Sequence, residues 1–403
     1  GGLQLWDSIR SVDFLESLPY VRPDAIGATG ESGGGTQTFL LAAVDDRIAV
    51  AVPVNMISLR MQGGCLCENL PGLRLDTTNV EIAATIGPRP LLMISATGDW
   101  TAHTIEEEFP AVRSLYALSG SGDRVQAVRI DAQHNYNRES REAMYAWMAR
   151  WLQGAAPDVL RPERPFTPDG PGDLLVFHQR TLPEGALDAE GVTAEWIDAA
   201  RRQIPSAGAD VLGRALAHAL GFGDQPVPAA GSAGTGRKTV LLSSPDAPLE
   251  AALRKAGFTT AQITFTPFDT AAAAAIPHFE TYNRTPASQR VADIAAALHA
   301  HPGATLVASG DAALAGLLAA AVAPVRLAVL DVGSFDTASD ADYMDHLYVP
   351  GLRRAGGLQT AASAAGTSVL IHNAGERFAL DGVRVRHTRL TAEDLVATIR
   401  SAR

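Results

Sequence analysis

Apolar residues at Leu5, Ile9, Val12, Phe14, Leu15 and Leu18 fall close to one face of a helix, and Pro19 and Pro23 end it. The pattern then shortens. Residues 25–29 read as a short strand, 30–35 as a sharp glycine-rich turn, and 36–44 as a helix. Continuous apolar runs at 48–54 and 90–96 fit strands buried on both faces, as in a parallel sheet. A helix is expected over 105–118, a strand over 125–130, and a helix over 138–152 anchored by Tyr145, Trp147 and Trp151. Strand and helix alternate, which predicts an α/β fold with helices on both faces of a mostly parallel sheet.

The pattern breaks at 155–172, where Pro157, Pro162, Pro165, Pro168 and Pro171 predict a domain boundary, with domains at 1–156 and 157–403. A strand at 174–177 and two helices are expected next, then a Gly/Ala/Pro-rich loop near 221–236. Strands at 239–243 and 260–266 and a helix at 286–299 follow. Residues 305–319 then lie over 26–41 with Gly310 against Ser32, the strand 368–373 lies over 91–95, and the Pro-Gly-Leu-Arg of 350–353 repeats that of 71–74. This internal repeat predicts two tandem copies of one fold. The second carries Gly310 and Arg377 where the first carries Ser32 and Asp99, leaving His387 without partners, so it is expected to be catalytically silent. The first copy lacks counterparts of the strands 239–243 and 260–266. It is therefore expected to be N-terminally truncated, with an open sheet edge that the second domain or a partner chain, as in a homo-oligomer, would cover.

Composition narrows the partners. Hydrophobic residues are 46% and charged residues 19%, a globular balance. The net charge is −11 and the only lysines are Lys238 and Lys255, which argues against nucleic acid, because phosphate contacts need concentrated cations. No apolar run approaches the roughly 20 residues of a membrane span, and no signal-peptide pattern opens the chain. The two cysteines, Cys65 and Cys67, are too close in sequence to be expected to bridge and have no further metal ligands at a recognisable spacing. They are expected as two small residues in a packed loop, and neither a metal nor a cofactor is expected.

Candidate chemistry centres on Gly30-Glu31-Ser32-Gly33-Gly34, a Gly-x-Ser-x-Gly turn between a strand and a helix. This nucleophile elbow of the α/β-hydrolase type lifts the serine hydroxyl above the C-terminal edge of the sheet. It also aims the Gly33 N–H at a developing oxyanion. The acid and base should follow in the order Asp, His. Asp99 sits in the exposed turn that ends the strand 90–96, and His134 follows the strand 125–130. Asp123, Asp131 and His103 are rivals that lie off this path. His134 would take the Ser32 proton, Asp99 would fix the imidazole, and Ser32 would attack an ester carbonyl. The loop that normally gives the second oxyanion donor lies in the segment expected to be missing.

The segments Gly30–Thr38, Asp45-Asp46-Arg47, Pro53–Met56, Gln62–Asn69, Ala96–Thr101 and His134–Asn137, with Trp6-Asp7 and Asp13–Leu15, resemble bacterial acetyl xylan esterase-like α/β-hydrolases. These are often exported, two-copy proteins with a degenerate second hydrolase domain. The resemblance covers residues 4–152. It implies a serine carboxylesterase for short acyl esters of small molecules, carbohydrates among them, with Ser32, Asp99 and His134 in the catalytic positions. Glu31, Asn55, Cys65, Glu68, Trp100 and Asn135 are candidates for lining the substrate loop. An amidase or oligopeptidase of the same fold, and an inert scaffold, are the competing readings.

Overall fold

The computed structural model describes residues 1–61, 64–223 and 238–402. The expected loop near 221–236 therefore lies outside the described residues from 224 onward. The chain forms two compact units: Gly1–Thr181 with Ala271–Asn283, and Leu182–Thr270 with Arg284–Arg403.

In the first unit, β1 (Ile26–Glu31), β2 (Ile48–Val54), β3 (Leu91–Ala96) and β4 (Val125–Ile130) form one parallel sheet in the order β1-β2-β3-β4. The helices are α1 (Gly2–Ser17), α2 (Gly33–Val44), α3 (Asn79–Ala84), α4 (Glu108–Ala117) and α5 (Arg138–Gln153). Side chains alternate across a strand. Thus Leu91 and Met93 of β3 join Phe39 of α2 and Val112 and Tyr116 of α4 in one core. Leu92 and Ile94 join Val50, Val52, Val54 and Trp147 of α5 on the other face. The apolar runs read from the sequence are thus strands covered on both sides, as parallel sheets require. α5 starts at Asn137, whose side chain accepts from the Ser140 N–H at 3.0 Å, and ends at Gly154 in the left-handed conformation.

Two stretches depart from the sequence reading. Residues 174–177 are not a strand: a short helix, Pro171–Leu174, precedes a turn, and Leu174, Leu175, Val176 and Phe177 are exposed. Four apolar residues with no neighbouring strand have nothing to pair with, and propensity alone does not make a strand. The proline-rich stretch belongs to the first unit, where Glu163 bonds Arg141 Nε at 2.6 Å and Tyr145 Oη at 3.1 Å on α5. The segment Ala271–Asn283 also belongs to the first unit, far from it in sequence. Its Glu280 carbonyl accepts from Gly72 N at 2.7 Å and its Thr281 carbonyl from Arg74 N at 2.9 Å.

The second unit holds a six-stranded parallel sheet. Its strands are β5 (Thr239–Leu242), β6 (Thr259–Gln262), β7 (Thr305–Ser309), β8 (Leu327–Asp331), β9 (Val369–His372) and β10 (Arg384–Val385), in the order β10-β9-β8-β7-β5-β6. Helix Asp311–Val322, rich in alanine and leucine, is almost wholly buried between this sheet and the helices around it. Both units are α/β with helices flanking parallel strands. Among the described residues no helix is long and apolar enough to cross a membrane.

Candidate active site

The first unit converges on one sheet edge. β1 runs into a turn in which Ser32 has φ 57° and ψ −119°, a conformation that side-chain-bearing residues rarely adopt. Two glycines permit it. A Cβ on Gly30 would lie 2.5 Å from the Gly34 backbone, and one on Gly35 would lie 2.8 Å from both Met56 Cβ and Val54 O. Gly34, the last residue of the Gly-x-Ser-x-Gly pattern, has open space around its own Cβ position. Ser32 N donates to Val54 O at 3.1 Å, which fixes the turn to β2. Gly33 opens α2, so its N–H has no acceptor within the helix and carries the positive end of the helix dipole.

The strand ends supply the rest. Asp99 follows β3. Expected at an exposed turn, its side chain is 2% exposed, because the chain folds back over it. Its Oδ1 accepts from Thr101 N at 2.7 Å and Thr101 Oγ1 at 2.5 Å, and its Oδ2 lies 2.7 Å from His134 Nδ1. With an ionised Asp99, this contact sets the histidine tautomer with Nδ1 protonated. The Trp100 ring packs on His134 at 4.5 Å between centroids. Tyr136 Oη shares a hydrogen bond with Thr29 Oγ1 at 2.7 Å, tying the loop to β1, and burial pushes this phenol above its ordinary value.

His134 Nε2 faces Glu31 Oε1 at 2.9 Å, and the Ser32 hydroxyl donates to Glu68 Oε1 at 2.6 Å. The structure therefore joins Asp99 to His134 but forms no direct hydrogen bond between His134 and Ser32. Each faces a carboxylate instead.

The remaining candidates fall around this cluster. Asn55, at φ 52° after β2, is 1% exposed; its Nδ2 donates to the Asn135 carbonyl at 2.9 Å, bridging the ends of β2 and β4. Glu68, also 1% exposed, accepts from Cys65 N at 2.9 Å through Oε2. Cys65 and Cys67 are joined by a disulfide, which corrects the sequence reading: the turn between them brings their Cα atoms to 5.3 Å, inside the range a disulfide spans. A Cβ on Gly33 would lie 2.7 Å from Cys67 Sγ, so this loop sits directly on the serine turn. Both sulfurs and a Glu68 oxygen lie within 4.8 Å of one another, but the disulfide removes the thiolates that a metal would need.

Arg74 was not foreseen. Its guanidinium is buried, which pulls it below its ordinary value, and it binds the Glu68 carbonyl at 3.0 Å, Asn79 Oδ1 at 2.7 Å and Tyr282 Oη at 3.4 Å. Its signal was the arginine of the repeated Pro-Gly-Leu-Arg. Tyr282 had no signal, because it reaches this loop from 208 residues away in sequence.

Strand, sharp turn and helix, followed in chain order by an acid and a histidine at the same edge of a parallel sheet, is the arrangement in which α/β-hydrolases carry their catalytic residues. No family model matches the chain. It is similar to a protein named as a hydrolase, YtaP of Bacillus subtilis (strain 168), at 29% identity over 161 residues, covering 38% of this chain and 54% of that one. The chain thus spans about half the length of the curated relative it matches. Among solved structures it is similar to the methylesterase BT1017, at 36% identity and TM-score 0.36, covering 38% of this chain and 35% of that one. Another is a carbohydrate esterase family 15 glucuronoyl esterase from Caldicellulosiruptor kristjansonii, at 20% identity and TM-score 0.33, covering 41% and 53%.

Proposed function

We propose that the first unit is a serine carboxylesterase for short acyl esters, with acetyl-type esters of carbohydrates in its range. The observation that carries this reading is Ser32 held at φ 57° between β1 and α2, at the same sheet edge as the Asp99–His134 pair. Ser32 turns its hydroxyl to His134 Nε2 and passes it the proton while Oγ bonds to the ester carbonyl carbon. The oxyanion takes the Gly33 N–H, His134 returns the proton to the departing alkoxide, and water clears the acyl-enzyme by the same route. Asp99 orients the ring and balances the imidazolium charge.

The test is labelling with a fluorophosphonate together with hydrolysis of p-nitrophenyl acetate. One equivalent bound at Ser32, with turnover that disappears in Ser32→Ala, is the expected result. An unlabelled chain that turns over no ester would overturn the proposal. An aminoacyl p-nitroanilide in the same assay separates an esterase from an amidase or oligopeptidase, and the esterase reading expects it to be left intact.

A further inference from the structure

We propose that Glu68 is a specificity-determining residue that trades the Ser32 hydroxyl for a hydroxyl of the substrate, so that the site prefers esters bearing an O–H close to the scissile carbon. The inference rests on the serine-esterase reading of the same site.

The Glu68 carboxylate receives the Ser32 hydroxyl at 2.6 Å and the Cys65 N–H at 2.9 Å, and its residue is 1% exposed. Catalysis requires that first bond to break, because the Ser32 proton must go to His134 Nε2. A buried carboxylate that loses one of its two donors opposes the exchange. Glu31 differs. Its Oε1 also stands in the way, at 2.9 Å from His134 Nε2, but it accepts no hydrogen bond that would have to be given up, and the side chain as a whole is 22% exposed.

Glu68 is fixed from behind. Arg74 Nη2 holds its carbonyl at 3.0 Å, and Asn69 Nδ2 holds the Cys65 carbonyl at 3.0 Å. Arg74 is itself 5% exposed and packed on the Tyr282 ring, with its guanidinium 5.5 Å from the ring centre. The serine, not the glutamate, is therefore the partner that moves.

A substrate can replace what Ser32 withdraws. The attacked carbonyl carbon has to come within about 3–3.5 Å of Oγ. A hydroxyl two bonds away on the acyl side, or four on the alcohol side, then falls within reach of a carboxylate 2.6 Å from that same Oγ. The step balances. The Ser32 O–H to Glu68 bond is replaced by a substrate O–H to Glu68 bond, the Ser32 proton passes to His134, Oγ bonds to carbon, and the proton leaves with the alcohol. Glu68 neither gains nor loses a proton in the step. A site built around a buried acceptor rejects the analogue that lacks the matching donor.

Two isosteric ester pairs test this: 2-hydroxyethyl acetate against propyl acetate, and methyl lactate against methyl isobutyrate. Each is assayed with the full chain and with Glu68→Ala and Glu68→Asp, whose folding is checked by thermal melting. The full chain is expected to favour the hydroxylated member of at least one pair by about tenfold or more in kcat/KM. Glu68→Ala should lower the rate on the hydroxylated ester and raise it on the plain one. Simple structural damage cannot produce that crossing, since it lowers both. If Glu68→Ala does not fold, Glu68→Asp carries the test, and its shorter reach should shrink the preference severalfold. Equal kcat/KM within both pairs for the full chain, or a preference that survives the substitution, overturns the proposal. A chain that hydrolyses none of the four esters and is not labelled at Ser32 overturns the esterase reading and this inference with it.

Discussion

The turns after β1 and β7 follow almost the same backbone path with opposite chemistry. Ser32 has φ 57° and ψ −119°, Gly310 has φ 59° and ψ −138°, and each opens a helix of 12 residues. Each also donates its N–H to the neighbouring strand, Ser32 to Val54 O at 3.1 Å and Gly310 to Asp331 O at 2.9 Å. The likeness recurs one strand further on, where Asn55 at φ 52° matches Gly333 at φ 60°. At both places the first unit puts a polar side chain into a conformation that costs of order 1–3 kcal/mol, and the second puts glycine, which adopts it freely. Arg377, aligned with Asp99, pairs with Asp336 at 3.1 Å, and His387 Nδ1 contacts the Ala374 carbonyl. Backbone geometry alone therefore does not make a site. The two turns differ in the side chain they carry, while elsewhere the second unit too holds a polar residue at positive φ, Asn373 at 56° after β9.

The most severe way to break this contrast is to swap the nucleophile. Ser32→Ala should lower kcat on p-nitrophenyl acetate by roughly 10⁶. Gly310→Ser should add no reactive serine, so active-site titration stays at one equivalent per chain. A second equivalent would mean that the turn itself suffices. Asp99→Asn comes next. It keeps the bonds from Thr101 but presents the wrong partner to His134 Nδ1, so kcat should fall by about 10⁴ with little change in melting temperature. A loss below tenfold would remove Asp99 from the orienting role.

Stability sharpens the contrast further. Gly35→Ala pushes a methyl into Met56 Cβ and Val54 O, and should cost about 3 kcal/mol. Gly310→Ala meets no atom within 4 Å and has only the left-handed backbone to oppose it, at about 1–2 kcal/mol. Denaturant melts that rank the two the other way would show the elbow to be less tightly packed than its glycines indicate.

The smallest effect is on acid stability. Burial holds His372 below its ordinary value of 6.5, and its Nδ1 accepts from Leu390 N at 3.2 Å. The unfolded chain therefore takes up this proton first, and the stabilisation present above pH 6.5 declines as pH falls toward the folded-state value. In the first unit Arg47 holds the Asp45 carboxyl below 3.8, so that contribution declines only below pH 3.8. Between pH 7 and 5 the second unit should soften first, by a few degrees at about 2–4 °C per kcal/mol, and His372→Gln should flatten the change. A melt in which the first unit leads would reverse the assignment.

Much of the first unit was legible in the sequence. The strands read at 48–54 and 125–130 match the bounds of β2 and β4; β2 is a continuous apolar run because a central parallel strand is buried on both faces, whereas β4, at the sheet edge, leaves Gln126 and Arg129 exposed. Asp99 and His134, singled out from chain order alone because each follows a strand of the serine's sheet, meet at 2.7 Å. The paired carboxylates were not singled out in this way. Glu68 stood only as a substrate-loop candidate, and no local pattern says that a residue 36 positions after the serine will hold its hydroxyl. The disulfide was misread for a related reason: the turn of the loop, not the spacing of its cysteines, decides their distance.

By itself, then, the sequence determined most of the elements of the first unit and that their sheet is parallel, and it singled out Ser32, Asp99 and His134 as candidates, because periodicity and steric demand act over a few neighbouring residues. Tertiary structure decided which atoms meet: Ser32 with Glu68, His134 with Glu31, and Arg74 with Tyr282 from 208 residues away. Such contacts are set by packing and by the need to satisfy buried polar groups, and both depend on where the rest of the chain comes to lie.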